Sequence, residues 1–190
     1  MLLISQNIDS YNIKVPEDTV FRINMAWCNS LKELEEKLEK GKLNKFFIDL
    51  PIGRIKPPNN RYTLDEMIPI INANKNVKYF AVSNVESKDD LKEFLQKLPE
   101  HVIIVPKIES PKAVNNIDEI CKSLKDGKKM VMLDHDDLFS AIIRTNEKLE
   151  KFQEYIKKLI DYCEEKEISL LRTVGVVFSD DEKRTTQYVK

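Results

Sequence analysis

Residues 102–110, VIIVPKIES, and residues 131–138, VMLDHDDL, decide the reading of this chain. Each starts as an apolar run too short for a helix and ends in charged residues, the pattern of a buried strand whose end meets a ligand or solvent. Side chains alternate faces in an extended segment, so Lys107 and Glu109 point the same way, where the run 102–105 gives out. The next run, 130–133, ends in Asp134, His135, Asp136 and Asp137. If the two strands are parallel neighbours, a second carboxylate comes beside Glu109. Two carboxylates and an amine suit a hard metal ion and an anionic substrate.

Working outward, apolar or β-branched runs recur at 19–25, 45–50, 77–83, 102–108, 129–133 and 168–174, with a short one at 2–5. Amphipathic stretches lie between them. Ser30 with Glu33 reads as a capping box ahead of Leu31, Leu34 and Leu38, and Gly41 ends that helix. Thr63 with Glu66 opens a second, which Pro69 should kink or cut short. Ser87 precedes Leu91, Phe94, Leu95 and Leu98. Ser110 and Pro111 stand as N-cap and first helical residue before Val114, Ile117 and Ile120. The longest helix is predicted over residues 146–166. Strand and helix in this repeating order imply right-handed crossovers and a parallel sheet, as in a TIM-like barrel or an open doubly wound sheet.

The chain has 190 residues, 42% of them hydrophobic, enough for the core of a single domain spanning residues 1–190. Lys+Arg number 31 against 32 Asp+Glu, a net charge of -1, so no global field recruits nucleic acid or an acidic membrane. No apolar run approaches the roughly 20 residues that span a bilayer, and the N-terminal residues lack a basic, cleavable leader, so a cytoplasmic address is expected. Cys28, Cys121 and Cys163 are odd in number and widely spaced, which reads as reduced structural thiols.

The charged strand ends resemble those of the pyruvate kinases. In that family a KIEN-like strand supplies a lysine to the transferring group and a glutamate to the divalent metal, and a GDLG-like turn supplies the second metal ligand; Lys107, Glu109 and Asp137 fall on those positions. FRINMAWC is similar to the family's RLNFSHG, keeping Arg22 and Asn24 but carrying Ala26, Trp27 and Cys28. DLPIGRIKPP resembles DxxGPKIR, with Asp49 matched and Lys56 in place of the arginine. AVSNV resembles AxSFV, keeping Ser83 and carrying Asn84. The resemblance spans roughly residues 20–175 in the family's order. Its nucleotide-closing β domain has no counterpart after residue 56, and LLRTVGVVF keeps the seventh-strand motif poorly, with Thr173 one position out of register.

The resemblance implies a minimal, incomplete (β/α) barrel of about seven strands, with the chemistry at the C-terminal strand ends, where Asn24, Asp49, Ser83, Glu109 and Asp137 would converge. It implies Mg²⁺ or Mn²⁺ on Glu109 and Asp137, with Asp134 and Asp136 as competing ligands and His135 suited to a softer metal. Lys107 and Arg22 would be catalytic, and Asn24, Lys56, Ser83 and Thr173 would bind a small 2-oxo acid or phosphoenolpyruvate-like ligand. Asp49 would brace Arg22, or join Asn24 around a monovalent cation. Only 4 glycines, none clustered, leave no phosphate-cradling loop. Weak nucleotide binding and lyase-type chemistry are therefore expected; aldolases and citrate-lyase-like enzymes also carry a glutamate and an aspartate on consecutive barrel strands. Eroded positions 26–28 and 84 favour a second class, a metabolite-sensing or partner-binding protein. An incomplete barrel exposes strand edge, which predicts a homo-oligomer or closure by residues 178–190.

Overall fold

The computed structural model describes residues 3–5, 16–53, 58 and 60–172, the first three as backbone. Seven parallel strands form the sheet: β1 (Leu3–Ser5), β2 (Val20–Asn24), β3 (Lys45–Leu50), β4 (Val77–Val82), β5 (Ile103–Ile108), β6 (Met130–Leu133) and β7 (Ser169–Arg172). They lie in sequence order from β1 to β7. A doubly wound sheet reverses its order at a switch point and carries helices on both faces. This sheet never reverses, so the winding is that of a barrel. No pairing joins β7 to β1 among the described residues, and the result is an incomplete TIM-like barrel.

Strand alternation sorts the two faces. Phe21, Ile23, Ile48, Phe80, Ile104, Ile108, Val131 and Leu133 turn outward into the main core with the helices. Val20, Phe47, Ala81, Val105, Met130 and Met132 form a separate inner cluster with Tyr79, Ile103 and Leu171 packed on it. The inner cluster fills the lower barrel. Above it, the next inward residues of β2 to β6 are polar: Arg22 and Asn24, Asp49, Ser83, Lys107 and Glu109, and Asp134.

The outer helices are α1 (Leu31–Lys40), α2 (Leu64–Ala73), α3 (Lys92–Lys97), α4 (Pro111–Asn115), α5 (Ile117–Ser123), α6 (His135–Arg144) and α7 (Lys151–Glu165). The Thr63–Glu66 capping box forms on both sides, satisfying two N–H groups that the first helical turn leaves unpaired. At α1 the Ser30 hydroxyl accepts from the Glu33 N–H, but the Glu33 carboxylate reaches Asn29 N at 2.9 Å, one residue earlier than a capping box requires. Pro69 does not cut α2 short; the helix runs through it to Ala73. The long helix expected from residue 146 starts at Lys151, and a separate helix, α6, precedes it at His135–Arg144, where the sequence pattern assigned no element. Asp134 caps α6, while Leu138, Ala141 and Ile142, at helical spacing, form its buried stripe. No described helix is long and apolar enough to cross a membrane.

Candidate active site at the C-terminal strand ends

The polar inner residues enclose a cavity of about 160 Å³ lined by Arg22, Asn24, Asp49, Ser83, Lys107, Glu109, Asp134, Asp137 and Arg144, with residues 51–53 and Asn84 at its rim. Each is aimed there by the parity of its strand or by its place on α6, Asp137 in the first turn and Arg144 in the last. Lys107 and Glu109, two apart on β5, are 6% and 4% exposed and face the same way, as their spacing requires. Their Nζ and Oε1 atoms are 2.6 Å apart. The same ammonium lies 3.6 Å from Asp134 Oδ2 and 3.9 Å from Asp49 Oδ2, and it donates to Ser83 Oγ at 3.4 Å.

Burial and charge pull in opposite directions here. Burial pushes the Lys107 amine down, but Asp49, Glu109 and Asp134 together outweigh it, and the group is held above its ordinary 10.5 as an ammonium. Burial is the larger effect on Glu109 and raises it above 4.5 despite the opposing pull of Lys107 and the Asn84 N–H. The other Glu109 oxygen, Oε2, accepts that N–H at 2.6 Å. Asn84 offers it from a left-handed backbone, φ 55°, which asparagine tolerates better than most side chains. Its amide also donates to the Ile52 carbonyl at 2.5 Å.

Glu109, Asp134 and Asp137 each present an oxygen within 4.8 Å of the others. Two oxygens on one cation stand at most twice the bond length apart, about 5.2 Å for Ca²⁺ and about 4.2 Å for Mg²⁺, so the three suit a Ca²⁺-sized ion as they stand and a Mg²⁺ or Mn²⁺ once the side chains close by a few tenths of an ångström. The residues fit such an ion. Asp134 thus joins the two carboxylates favoured from sequence, and it also steadies Asp137, whose N–H donates to Asp134 Oδ1 at 3.3 Å. Asp136 lies outside the cluster. So does His135, on whose Nε2 the Arg172 guanidinium rests at 3.1 Å, with burial and Arg172 lowering the ring's pKa.

Arg22 Nε donates to Asp49 Oδ2 at 3.0 Å and its Nη2 pairs with the same oxygen, so Asp49 does brace Arg22. Asp49 is 1% exposed, and its Oδ1 has no hydrogen-bond partner among the described residues. Asn24 Oδ1 is engaged in capping the short 3₁₀ turn Met25–Trp27 through Ala26 N at 3.0 Å, leaving its amide nitrogen for the cavity. Trp27 is 58% exposed and does not line the cavity. Lys56, Arg54, Thr173 and residues 178–190 lie outside the described residues. Arg144 was missed by sequence reading, because nothing marked residues 135–144 as a helix until Asp134 was read as its cap.

No protein-family model matches the chain, and no curated protein matches it. Solved structures do. An HpcH/HpaI aldolase from Desulfitobacterium hafniense DCB-2 superposes with a TM-score of 0.67 at 12% identity, covering 99% of this chain and 82% of that one. RipC from Yersinia pestis gives 0.60 at 13% identity over 98% and 84%. A variant of the citrate synthase SbnG gives 0.62 at 10% identity over 99% and 80%. At these identities the likeness establishes the fold: the chain shares the α/β barrel architecture of these proteins.

Proposed function

We propose that this protein is a divalent-metal-dependent enzyme of the phosphoenolpyruvate/pyruvate type, acting on a small 2-oxo acid through its enolate by aldolase- or decarboxylase-like chemistry. The observation that carries this reading is the three-carboxylate cluster of Glu109, Asp134 and Asp137 closed around the buried ammonium of Lys107. Bound there, Mg²⁺ or Mn²⁺ would supply Lewis acidity toward the keto and carboxylate oxygens of the acid. Lys107 sets a fixed positive charge beside the oxygen on which negative charge develops, already oriented by Glu109 and Ser83. Arg22, anchored by Asp49 through Nε and Nη2, keeps Nη1 for a carboxylate or phosphate oxygen. Asn24 and Ser83 contribute polar contacts, and Lys56 and Thr173 belong to the same proposal. So does a monovalent cation beside Asn24, for which Asp49 Oδ1, without a hydrogen-bond partner among the described residues, is a ready ligand.

The cavity's size supports a small ligand. At about 160 Å³ it is well below the roughly 300–1,000 Å³ of sites that take drug-sized ligands. The aldolase among the similar structures favours carbon–carbon bond chemistry over phosphoryl transfer. One observation favours a non-catalytic metabolite sensor instead: Lys107 already neutralises part of the cluster without any ion. The chain is further proposed to act as a single domain and as a homo-oligomer that covers the strand edges, without nucleic-acid or membrane partners.

The test is exchange of pyruvate methyl protons with deuterium, read by NMR, alongside oxaloacetate decarboxylation. Both are expected only with Mg²⁺ or Mn²⁺ present. Binding of Mn²⁺ and oxalate without turnover of either acid would favour the sensor, and failure of oxalate and Mn²⁺ to bind would defeat both readings.

A further inference from the structure

Three cations line the described cavity, and two of them are occupied. Arg22 is held by Asp49, and Lys107 by Glu109 and Asp134. The third, Arg144, makes no ion pair or side-chain hydrogen bond among the described residues, although Asp134 and Asp137 line the same cavity. It is exposed at the last turn of α6, and its side chain is also a wall of a second, outer cavity of about 530 Å³ shared with Ser110, Lys112 and Thr145. Arg144 therefore stands where the inner cavity meets the outer one. The other cation of that outer wall, Lys112, is itself paired with Glu86 at 3.0 Å.

The helix sets the spacing. Asp137 and Arg144 are seven residues apart on α6, two turns, so they leave the same face about 10.5 Å apart along the axis. Long side chains on a helix incline toward its N-terminus, here toward Asp137, and an extended arginine spans roughly 6 Å, so it covers about half of that separation. What remains is about the length of two or three carbon–carbon bonds with their oxygens. A second acidic group on a four- or five-carbon acid, bound at the carboxylate cluster by its 2-oxo end, falls in that interval.

We infer that Arg144 is the specificity-determining residue of the site and receives a distal carboxylate, so that the ligand is a dicarboxylic 2-oxo acid. The inference rests on the reading of the inner cavity given above and deepens it. A guanidinium meets a carboxylate with two parallel hydrogen bonds, which a monocarboxylic acid cannot offer at that end.

The experiment uses full-length protein loaded with Mn²⁺. Oxalate is titrated first by calorimetry to register the inner end, and then displaced by oxaloacetate or by 2-oxobutyrate, four-carbon 2-oxo acids with and without the second carboxylate. Wild type is expected to prefer oxaloacetate by about 10- to 100-fold, the range of a charge-assisted contact. Arg144→Gln should bring the ratio near unity, and Arg144→Lys should restore part of it, since a point charge lacks the planar fork. A wild-type protein that binds oxalate but shows no preference, or an Arg144→Gln protein that keeps it, overturns the assignment and leaves the metal-and-acid reading standing. Oxalate that fails to bind overturns that reading, and the assignment with it.

Discussion

Replacing Lys107 by methionine tests the charge balance of the site most directly. The side chain is 6% exposed, and its ammonium faces Glu109 at 2.6 Å, Asp134 at 3.6 Å and Asp49 at 3.9 Å. Methionine keeps most of the volume and removes the charge, leaving Glu109 buried without its cation and Asp49 with Arg22 alone. Removing one partner of a buried pair costs about 3–5 kcal/mol, chiefly because the other is left uncompensated. Lys107→Met should therefore lose about that much unfolding free energy in urea with EDTA present. A divalent ion takes the ammonium's place in the balance. At 100 times its dissociation constant it returns about 2.7 kcal/mol, so Mn²⁺ should stabilise the variant more than wild type, and the variant should bind Mn²⁺ at least as tightly. Metal-dependent enolate exchange should nonetheless fall by about 10²–10³, the usual cost of one preorganised electrostatic contact. Equal stability of variant and wild type in EDTA, together with equal response to Mn²⁺, would refute the claim that Lys107 neutralises the cluster.

Asn84 holds Glu109 through its backbone, so Asn84→Gly should keep Mn²⁺ affinity, whereas Asn84→Val should lose about 1–2 kcal/mol in urea unfolding and weaken Mn²⁺ binding, because a β-branched residue resists positive φ. The two histidines, His101 and His135, are both held below 6.5, His101 by burial with Lys75 and Lys78 and His135 by burial with Arg172. The unfolded chain then binds more protons than the folded one just below that value, so stability should be full above about pH 6.5 and fall as pH drops through the lowered folded values; His101→Gln should flatten its share of that slope. Cys28, Cys121 and Cys163 are buried, with Cys121 pushed up to about 12 and Cys163 to about 11. A thiol reagent at pH 8 should label none of the three in native protein and all of them in denaturant.

Local sequence determined much of this protein. Period-two alternation put Lys107 on one face with Glu109, and Arg22 on one face with Asn24, because pleat geometry is a property of the single strand. Caps at Ser30, Thr63 and Ser110 marked helix starts for the same local reason. Sequence order could not choose between a barrel and a doubly wound sheet, since both repeat strand and helix; strand order and the one-sided helices decide it, and these are set by long-range packing. Nor could spacing sort Asp134, Asp136 and Asp137. That choice depends on α6 starting at Asp134, which turns Asp137 back toward Glu109 and carries Asp136 away. The ion pair between Lys107 and Asp134 and the Asn84 N–H on Glu109 both join residues from different elements, and only tertiary structure brings such groups within hydrogen-bond reach.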